Sequence, residues 1–85
     1  HLTRCLSVAF GPDVTVNAIC PGLVEGTRVA KNLTKDVEKK VRDLAILKRG
    51  TSAQDIAEQA VLLCKSETIT GQAIAIDAGI PGAMR

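Results

Sequence analysis

Aromatic residues are nearly absent from this chain of 85 residues, which contains one phenylalanine and no tryptophan or tyrosine. Aromatic side chains bury the largest area per residue, so the core has to form mainly from small aliphatic side chains. A core of this kind suits parallel strands covered by helices better than a free-standing miniature domain. The same absence disfavours nucleic-acid binding, because single-strand binders stack bases on aromatic rings.

Paired cysteines and long apolar runs are also missing. The three cysteines, Cys5, Cys20 and Cys64, are widely spaced, and no CxxC pair occurs. This spacing favours buried free thiols in a reducing cytoplasm over a disulfide framework or a metal site. The longest apolar run, Ala60 to Cys64, is too short to span a bilayer, and no signal-peptide pattern is present at the start. We therefore expect a cytoplasmic protein with no membrane segment and no bound metal.

Charges of both signs are interspersed, with eleven basic and nine acidic residues and a net charge of +2. A modest basic cluster lies in the middle of the chain and consists of Lys31, Lys35, Lys39, Lys40 and Arg42. Its polar surroundings favour a solvated lid or helix face, and a patch for nucleic acid or an acidic ligand is the alternative. We expect no nucleic-acid partner.

The stretch 14–27, VTVNAICPGLVEGT, is the one around which the rest of the chain is organised. Val14 to Cys20 is apolar at five of seven positions and on both faces, which predicts a buried central parallel strand. Pro21-Gly22 ends this strand, and a polar loop follows to residue 35, with a short helical piece as an alternative. Open α/β sheets bind their ligands at such a carboxyl end.

Helical spacing of apolar residues predicts helices over 1–10, 36–47 and 52–66, and a second strand is predicted over 72–77. Ser52 and Asp55 fit a capping box at the start of the third helix. A loop and tail through Pro81-Gly82 finish the chain. Two strands joined through helices imply a parallel βαβ unit.

Neither predicted strand has a polar face, so a lone two-stranded sheet would leave apolar surface and unpaired edges exposed. The chain also opens on His1, inside a helical pattern. We therefore expect a fragment, whose missing neighbours come from the rest of a longer chain or from a partner.

Four sequence features occur in a fixed order. They are a helix with Leu-Thr-Arg at 2–4 and Gly-Pro at 11–12, N-x-x-x-P-G at 17–22, R-x-x-x-x-x-D-I-A at 49–57 and T-G-Q-x-I-x-x-D-x-G at 70–79. Together they resemble the short-chain dehydrogenase/reductase family, particularly its 3-oxoacyl-[acyl-carrier-protein] reductase-like members. The resemblance covers the whole chain. It implies an α/β fold in which residues 1–85 are the C-terminal portion of one Rossmann-like, doubly wound domain with a substrate lid at about 23–50.

The resemblance implies an oxidoreductase that uses NAD or NADP to interconvert a carbonyl and an alcohol by hydride transfer. The family's glycine-rich phosphate loop and its Y-x-x-x-K motif lie upstream of the matching region, and this chain contains neither. We therefore assign no catalytic residue and expect the chain to be inactive alone. The alternative is a non-catalytic, truncated module that binds to or assembles with full-length subunits.

The resemblance implies a cofactor site at the end of the first strand, with Pro21, Gly22, Val24 and Thr27 as cofactor-binding residues. The backbone of Val24 would contact the nicotinamide carboxamide, Pro21 would rigidify the turn, and Gly22 would let the backbone approach the ring. The family usually has Thr where Gly26 stands. Thr27 would supply the hydroxyl instead if the loop bulges.

Two further polar residues are interpreted as structural. Asn17 is expected to hydrogen-bond neighbouring backbone, and Asp77 to accept a hydrogen bond at a strand end.

Gly26 and Gly50 are candidate hinges of the lid. The resemblance also implies a small carbonyl or alcohol substrate and a homo-oligomer, tetramer or dimer, in which the first helix forms one interface and the third helix with the last strand forms the other.

Overall fold

The structure, a computed structural model, describes residues 1–81. Within this range the chain forms four helices and two strands. In order they are α1 (Leu2–Phe10), β1 (Ala18–Pro21), α2 (Arg28–Asn32), α3 (Lys35–Leu44), α4 (Ala53–Lys65) and β2 (Ala73–Ile76). The predicted order is confirmed, with α2 as the short helical piece within residues 23–35. The predicted tail at Pro81-Gly82 extends outside the described residues at Gly82.

β1 and β2 pair in parallel, in a register that runs from Ala18 opposite Ala73 to Pro21 opposite Ile76. The parallel pairing confirms the βαβ arrangement, because parallel strands need a long crossover, here made through α2, α3 and α4. α4 packs against β1. No helix within residues 1–81 is long and apolar enough to cross a membrane.

The first strand was predicted over 14–20, and that placement is wrong at both ends. Residues 14–17 precede the ladder, whereas Pro21 is its last member. The reason lies in the partner segment, where the chain turns at Gly71 (φ +74) before β2 begins. Val16 is therefore held by the turn, since its N–H donates to the Thr70 hydroxyl at 3.0 Å and its carbonyl accepts from the Gly71 N–H at 2.8 Å.

Side-chain caps explain where α3 and α4 begin. The Ser52 hydroxyl accepts a hydrogen bond from the Asp55 N–H at 3.1 Å, which is the half of the predicted capping box that the structure shows. The Thr34 hydroxyl accepts from the Val37 N–H at 3.3 Å, so α3 begins at Lys35.

The end of α3 differs from the prediction, which extended this helix to residue 47. The N–H of Ile46 donates to the carbonyl of Gly79 at 2.7 Å, and the N–H of Leu47 donates to that of Ala78 at 3.0 Å. These bonds to the loop after β2 replace the next turn of helix. They attach the segment after α3 to the loop after β2.

Few side chains are buried. Within the described part of the chain, Ala45, Leu63 and Thr51 fall below a tenth of their possible exposure. All three cysteines are free but exposed, and the second half of β1 is exposed as well. The predictions of buried thiols and of a buried first strand are therefore wrong for this chain. The physical reason is that the two-stranded sheet is covered mainly by one helix, α4, so that its remaining faces are open.

Candidate functional site

Three loops meet at the carboxyl ends of the strands, at residues 22–27, 45–52 and 77–80. The first two are joined by a parallel bridge between Val24 and Thr51. In this bridge the Thr51 N–H donates to the Leu23 carbonyl at 2.9 Å, and the Glu25 N–H donates to the Thr51 carbonyl at 2.8 Å. The loop after β1 is therefore fixed by backbone bonds to the segment that precedes α4.

The bridge sets the direction of the Val24 peptide groups. When the two neighbours of a residue bond its partner in a parallel pair, the residue's own N–H and C=O point to the opposite side. Those of Val24 therefore point away from Thr51. The Val24 carbonyl accepts from the Thr27 hydroxyl at 2.8 Å and from the Thr27 N–H at 3.4 Å. One backbone donor, one backbone acceptor and a hydroxyl are thus brought together.

A turn at Gly26 makes this arrangement possible. Gly26 has φ +80, in the left-handed region that favours glycine, and an added Cβ would meet no atom within 4 Å. Glycine is therefore needed here for backbone conformation and not for space. The turn directs the Thr27 hydroxyl onto the Val24 carbonyl. Contact of Thr27 with a cofactor stays a prediction.

Gly22 is crowded by the end of β2. Its N–H donates to the Ile76 carbonyl at 3.0 Å. A Cβ added at Gly22 would lie 2.7 Å from the Cβ and 2.9 Å from the Cα of Asp77. The neighbour that requires glycine at this position is therefore Asp77, and approach of a nicotinamide ring to Pro21-Gly22 stays a prediction.

α3 contacts this loop through the side chain of Glu25. The Arg42 guanidinium on α3 lies 3.7 Å from the Glu25 carboxylate, and both side chains are about half exposed. Exposed pairs of this kind contribute about 0–1 kcal/mol, so the attachment is loose. Gly50 lies beneath the same side chain, since an added Cβ would come within 2.6 Å of the Glu25 Cγ and Oε1.

A cavity of about 540 Å³ lies beside these loops. Its lining comes from the segment after α3, the start of α4, the end of β2 and the loop after it. It consists of Ile46, Leu47, Arg49, Gly50, Thr51, Asp55, Ala75, Ile76, Asp77, Ala78 and Gly79. None of the four predicted cofactor residues lines it. Within residues 1–81 no group of three or more side chains could hold a metal ion.

The two polar residues interpreted as structural are confirmed. The Asn17 amide donates to the Ile69 carbonyl at 3.0 Å, and its oxygen accepts from the Gln72 N–H at 3.1 Å. The Asp77 carboxylate accepts from the Gly79 N–H at 2.9 Å. Both side chains stabilise the turns that flank β2.

Sequence reasoning missed Thr51. This residue is 4% exposed, and its hydroxyl donates to the Ile76 carbonyl at 3.0 Å. The available signal was a β-branched residue immediately before the Ser52 N-cap, in a segment that otherwise reads as an exposed helix break. Its partner lies 25 residues away in sequence, so local pattern could not identify the contact.

Nearly the whole chain is similar to known proteins. The family described as Enoyl-(Acyl carrier protein) reductase matches residues 1–81. Tropinone reductase-like 3 from Erythroxylum coca is 32% identical over 84 residues, which cover 94% of this chain and 32% of that protein. The crystal structure of 3-oxoacyl-[acyl-carrier protein] reductase from Brucella melitensis has a TM-score of 0.84 at 26% identity, covering 93% of this chain and 30% of that one.

A further similar structure contains a cofactor. FolM alternative dihydrofolate reductase 1 from Brucella suis, in complex with NADP, has a TM-score of 0.81 at 26% identity, covering 99% of this chain and 33% of that one. The chain thus spans about a third of the length of the proteins that it matches. The likeness confirms the predicted α/β class, as part of a Rossmann-type fold. The chain belongs to the short-chain dehydrogenase/reductase family, and it is homologous to the C-terminal region of these enzymes.

Proposed function

We propose that this chain supplies the nicotinamide-side loop and the substrate lid of an oxidoreductase that interconverts a carbonyl and an alcohol with NAD or NADP. The observation that supports this most directly is the direction of the Val24 peptide groups, away from Thr51, at the carboxyl end of a parallel strand pair. Ligands of open α/β sheets bind at this end. A similar structure in complex with NADP supports the cofactor class.

The groups around Val24 fit a nicotinamide carboxamide. Its oxygen needs a donor, which the Val24 N–H offers. Its amino group needs an acceptor, which the Thr27 hydroxyl oxygen offers, and the Val24 carbonyl would accept it only in place of the 3.4 Å bond from the Thr27 N–H. Backbone groups held by the bridge to Thr51 orient the carboxamide without loss of side-chain entropy. A bound nicotinamide supplies or takes up the hydride. The tyrosine of the family's Y-x-x-x-K motif, which this chain does not contain, would move the hydroxyl proton as the acid–base group.

The lid at 23–50 closes over the substrate in this proposal. Val37 and Leu44 on α3 are 41% and 63% exposed, so an apolar helix face is available to cover a substrate and exclude water. Gly26 and Gly50 serve as hinges on either side of the helices, and the loose Glu25–Arg42 pair allows the lid to open.

A hybrid reductase tests the proposal. In it, residues 1–81 replace the matching segment of the Brucella melitensis 3-oxoacyl-[acyl-carrier protein] reductase. We expect the hybrid to bind NADPH or NADH and to reduce a 3-oxoacyl thioester, measured by the loss of reduced-nicotinamide absorbance. Thr27→Val removes one acceptor and should raise the cofactor Kd roughly three- to tenfold, since a hydrogen bond contributes about 1 kcal/mol. Thr27→Ser is the matched control and should stay within about twofold of the parent hybrid.

Two outcomes would contradict the proposal. One is a hybrid that folds, by circular dichroism, and binds neither cofactor. The other is a folded hybrid in which the amide resonances of Val24 and Thr27 do not shift on titration with NADPH. Equal effects of Thr27→Val and Thr27→Ser would remove Thr27 from the site while leaving the Val24 contact.

We also propose that the complete oxidoreductase is a homo-oligomer, a dimer or a tetramer, in the cytoplasm. Large apolar side chains on α1 and α4 are exposed, at Leu2, Val8, Phe10, Val61 and Leu62. Exposed apolar clusters mark interaction sites, and Val61 and Leu62 are adjacent on α4. The free, exposed thiols suit a reducing compartment.

The second candidate function is a non-catalytic module that binds full-length subunits. Its support is the same exposed apolar surface on α1 and α4. Mixing the 85-residue chain with a full-length relative distinguishes the two candidates. Co-elution with no change in the relative's kcat would favour the module, whereas a chain that remains separate on size exclusion would remove it.

A further inference from the structure

Thr51 is the one polar residue that is buried within the part of the chain the structure describes. All three of its hydrogen-bonding groups are used. Its N–H donates to Leu23, its carbonyl accepts from Glu25, and its hydroxyl donates to the Ile76 carbonyl at 3.0 Å. A buried hydroxyl is costly to leave without a partner, so these bonds fix the position of the residue together.

Two hydrogen bonds from different segments meet at the Ile76 carbonyl. It accepts the Thr51 hydroxyl and also the Gly22 N–H, which donates at 3.0 Å. Ile76 is the last residue of β2, and Gly22 is the first residue after β1. One carbonyl oxygen therefore joins the end of β2, the loop after β1 and the connection from the lid to α4.

We propose that Thr51 is a positioning residue for the nicotinamide, which it orients through Val24. This inference rests on the proposed function, because it concerns the same carboxamide contact. Thr51 lies on the side of Val24 opposite to the peptide groups that would bind the carboxamide, so it acts without touching the cofactor. Its hydroxyl sets where the bridge lies relative to β2, and the bridge sets where the Val24 N–H and C=O point.

The kinetic consequence follows from this geometry. A tilt of the Val24 peptide misdirects one donor and one acceptor, while the rest of a dinucleotide is bound by other parts of the enzyme. Loss of the Thr51 hydroxyl should therefore change the orientation of the ring more than the affinity for the cofactor. Hydride transfer depends steeply on such orientation, since reacting atoms must be aligned.

Thr51→Val and Thr51→Ser in the hybrid reductase test the proposal. Valine keeps the branched shape and removes the hydroxyl, whereas serine keeps the hydroxyl. We expect Thr51→Val to lower kcat roughly tenfold with the NADPH Kd within about threefold, and Thr51→Ser to stay within about threefold in kcat. The exposed Thr68→Val is the matched control and should change neither constant.

The deuterium isotope effect separates positioning from mere stability. With NADPH deuterated at the transferred position, Thr51→Val should show a larger isotope effect on kcat than the parent hybrid, because hydride transfer becomes the slow step. A folding defect lowers the active fraction and leaves the isotope effect unchanged. Unchanged kcat and isotope effect in Thr51→Val would overturn the proposal. A parent hybrid that binds no NADPH would instead overturn the proposed function.

Amide exchange covers the case in which Thr51→Val does not fold in the hybrid. In the unsubstituted 85-residue chain the Glu25 and Thr51 amides should exchange at least roughly tenfold more slowly than that of the exposed Thr68, because both are bonded in the bridge. Thr51→Ser should retain this protection. Exchange of Glu25 as fast as Thr68 in the unsubstituted chain would overturn the proposal.

Discussion

Gly22 and Asp77 lie closer together than any side chain at position 22 allows. The Cβ of an alanine there would be 2.7 Å from the Asp77 Cβ and 2.9 Å from its Cα, and the second of these atoms is backbone that cannot rotate away. The ends of β1 and β2 would have to separate, which weakens the Gly22 N–H bond to Ile76. This contact is the residue-scale reason why a glycine follows the first strand.

Gly22→Ala should therefore destabilise the hybrid reductase. We expect the free energy of unfolding to fall by about 1–3 kcal/mol, as is typical of overpacking. Gly26→Asn is the matched control, because space at position 26 is open and asparagine tolerates a positive φ. Urea unfolding followed by circular dichroism measures both variants. A Gly22→Ala variant as stable as Gly26→Asn would show that the strand ends are free to move apart.

At the scale of elements, α4 presents one buried residue beside exposed ones. Leu63 is 7% exposed, whereas its neighbours Val61 and Leu62 are 52% and 55% exposed. The same helix therefore packs on β1 through a narrow stripe and leaves an apolar flank open. Adjacent leucines in one helix thus differ in environment but not in helix propensity.

Leu63→Ala and Leu62→Ala make a matched pair. Truncation of the buried leucine should cost about 2–5 kcal/mol of the free energy of unfolding, while truncation of the exposed one should cost under about 1 kcal/mol. Thermal unfolding of the two variants of the 85-residue chain, at a concentration that keeps the chain monomeric, gives the comparison. Equal melting temperatures would mean that α4 packs on the sheet in a different rotation about its axis.

Prediction from sequence succeeded for elements whose ends are set locally. The capping sequence at 52–55 places the start of α4 within one residue, because the Ser52 hydroxyl needs only its own first turn. It failed where a distant segment decides the boundary, as for β1, which starts only where β2 becomes available, and for α3, which ends in the loop after β2.

Residues of the candidate site also divide into those bonded locally and those bonded to distant segments. Asp77 bonds to the backbone two residues ahead, so its role could be predicted from local position. Asn17 was interpreted as bonding to backbone, but its partners Ile69 and Gln72 are 52 and 55 residues away, and the pattern did not identify them. The bonding of Thr51 depends on the carbonyl of Ile76 and on the loop at Leu23, which come together only in the folded chain. The pattern of residues 48–52 therefore could not predict these contacts of Thr51.

For the whole molecule, the accessible surface is large for the mass. The chain exposes 6571 Å² at 8.9 kDa, whereas a compact monomer of this mass exposes roughly 4,800 Å². Its radius of gyration is 14.9 Å, against about 12 Å for a compact domain of this length. The excess surface is on the order of what a standard protein–protein interface buries in total. Only Ala45 and Leu63 are buried apolar residues within 1–81, so the apolar side chains on the open faces remain accessible to water until another surface covers them.

The 85-residue chain should therefore associate when it is prepared alone. We expect its apparent mass by light scattering to rise above 8.9 kDa as its concentration increases, because exposed apolar area on α1 and α4 becomes buried. Leu62→Lys should shift the chain toward monomer. Gln54→Lys adds the same charge to an exposed polar position of α4 and should leave association unchanged. A chain that stays monomeric at every concentration, or that responds equally to both substitutions, would show that the chain does not associate through the open flank of α4.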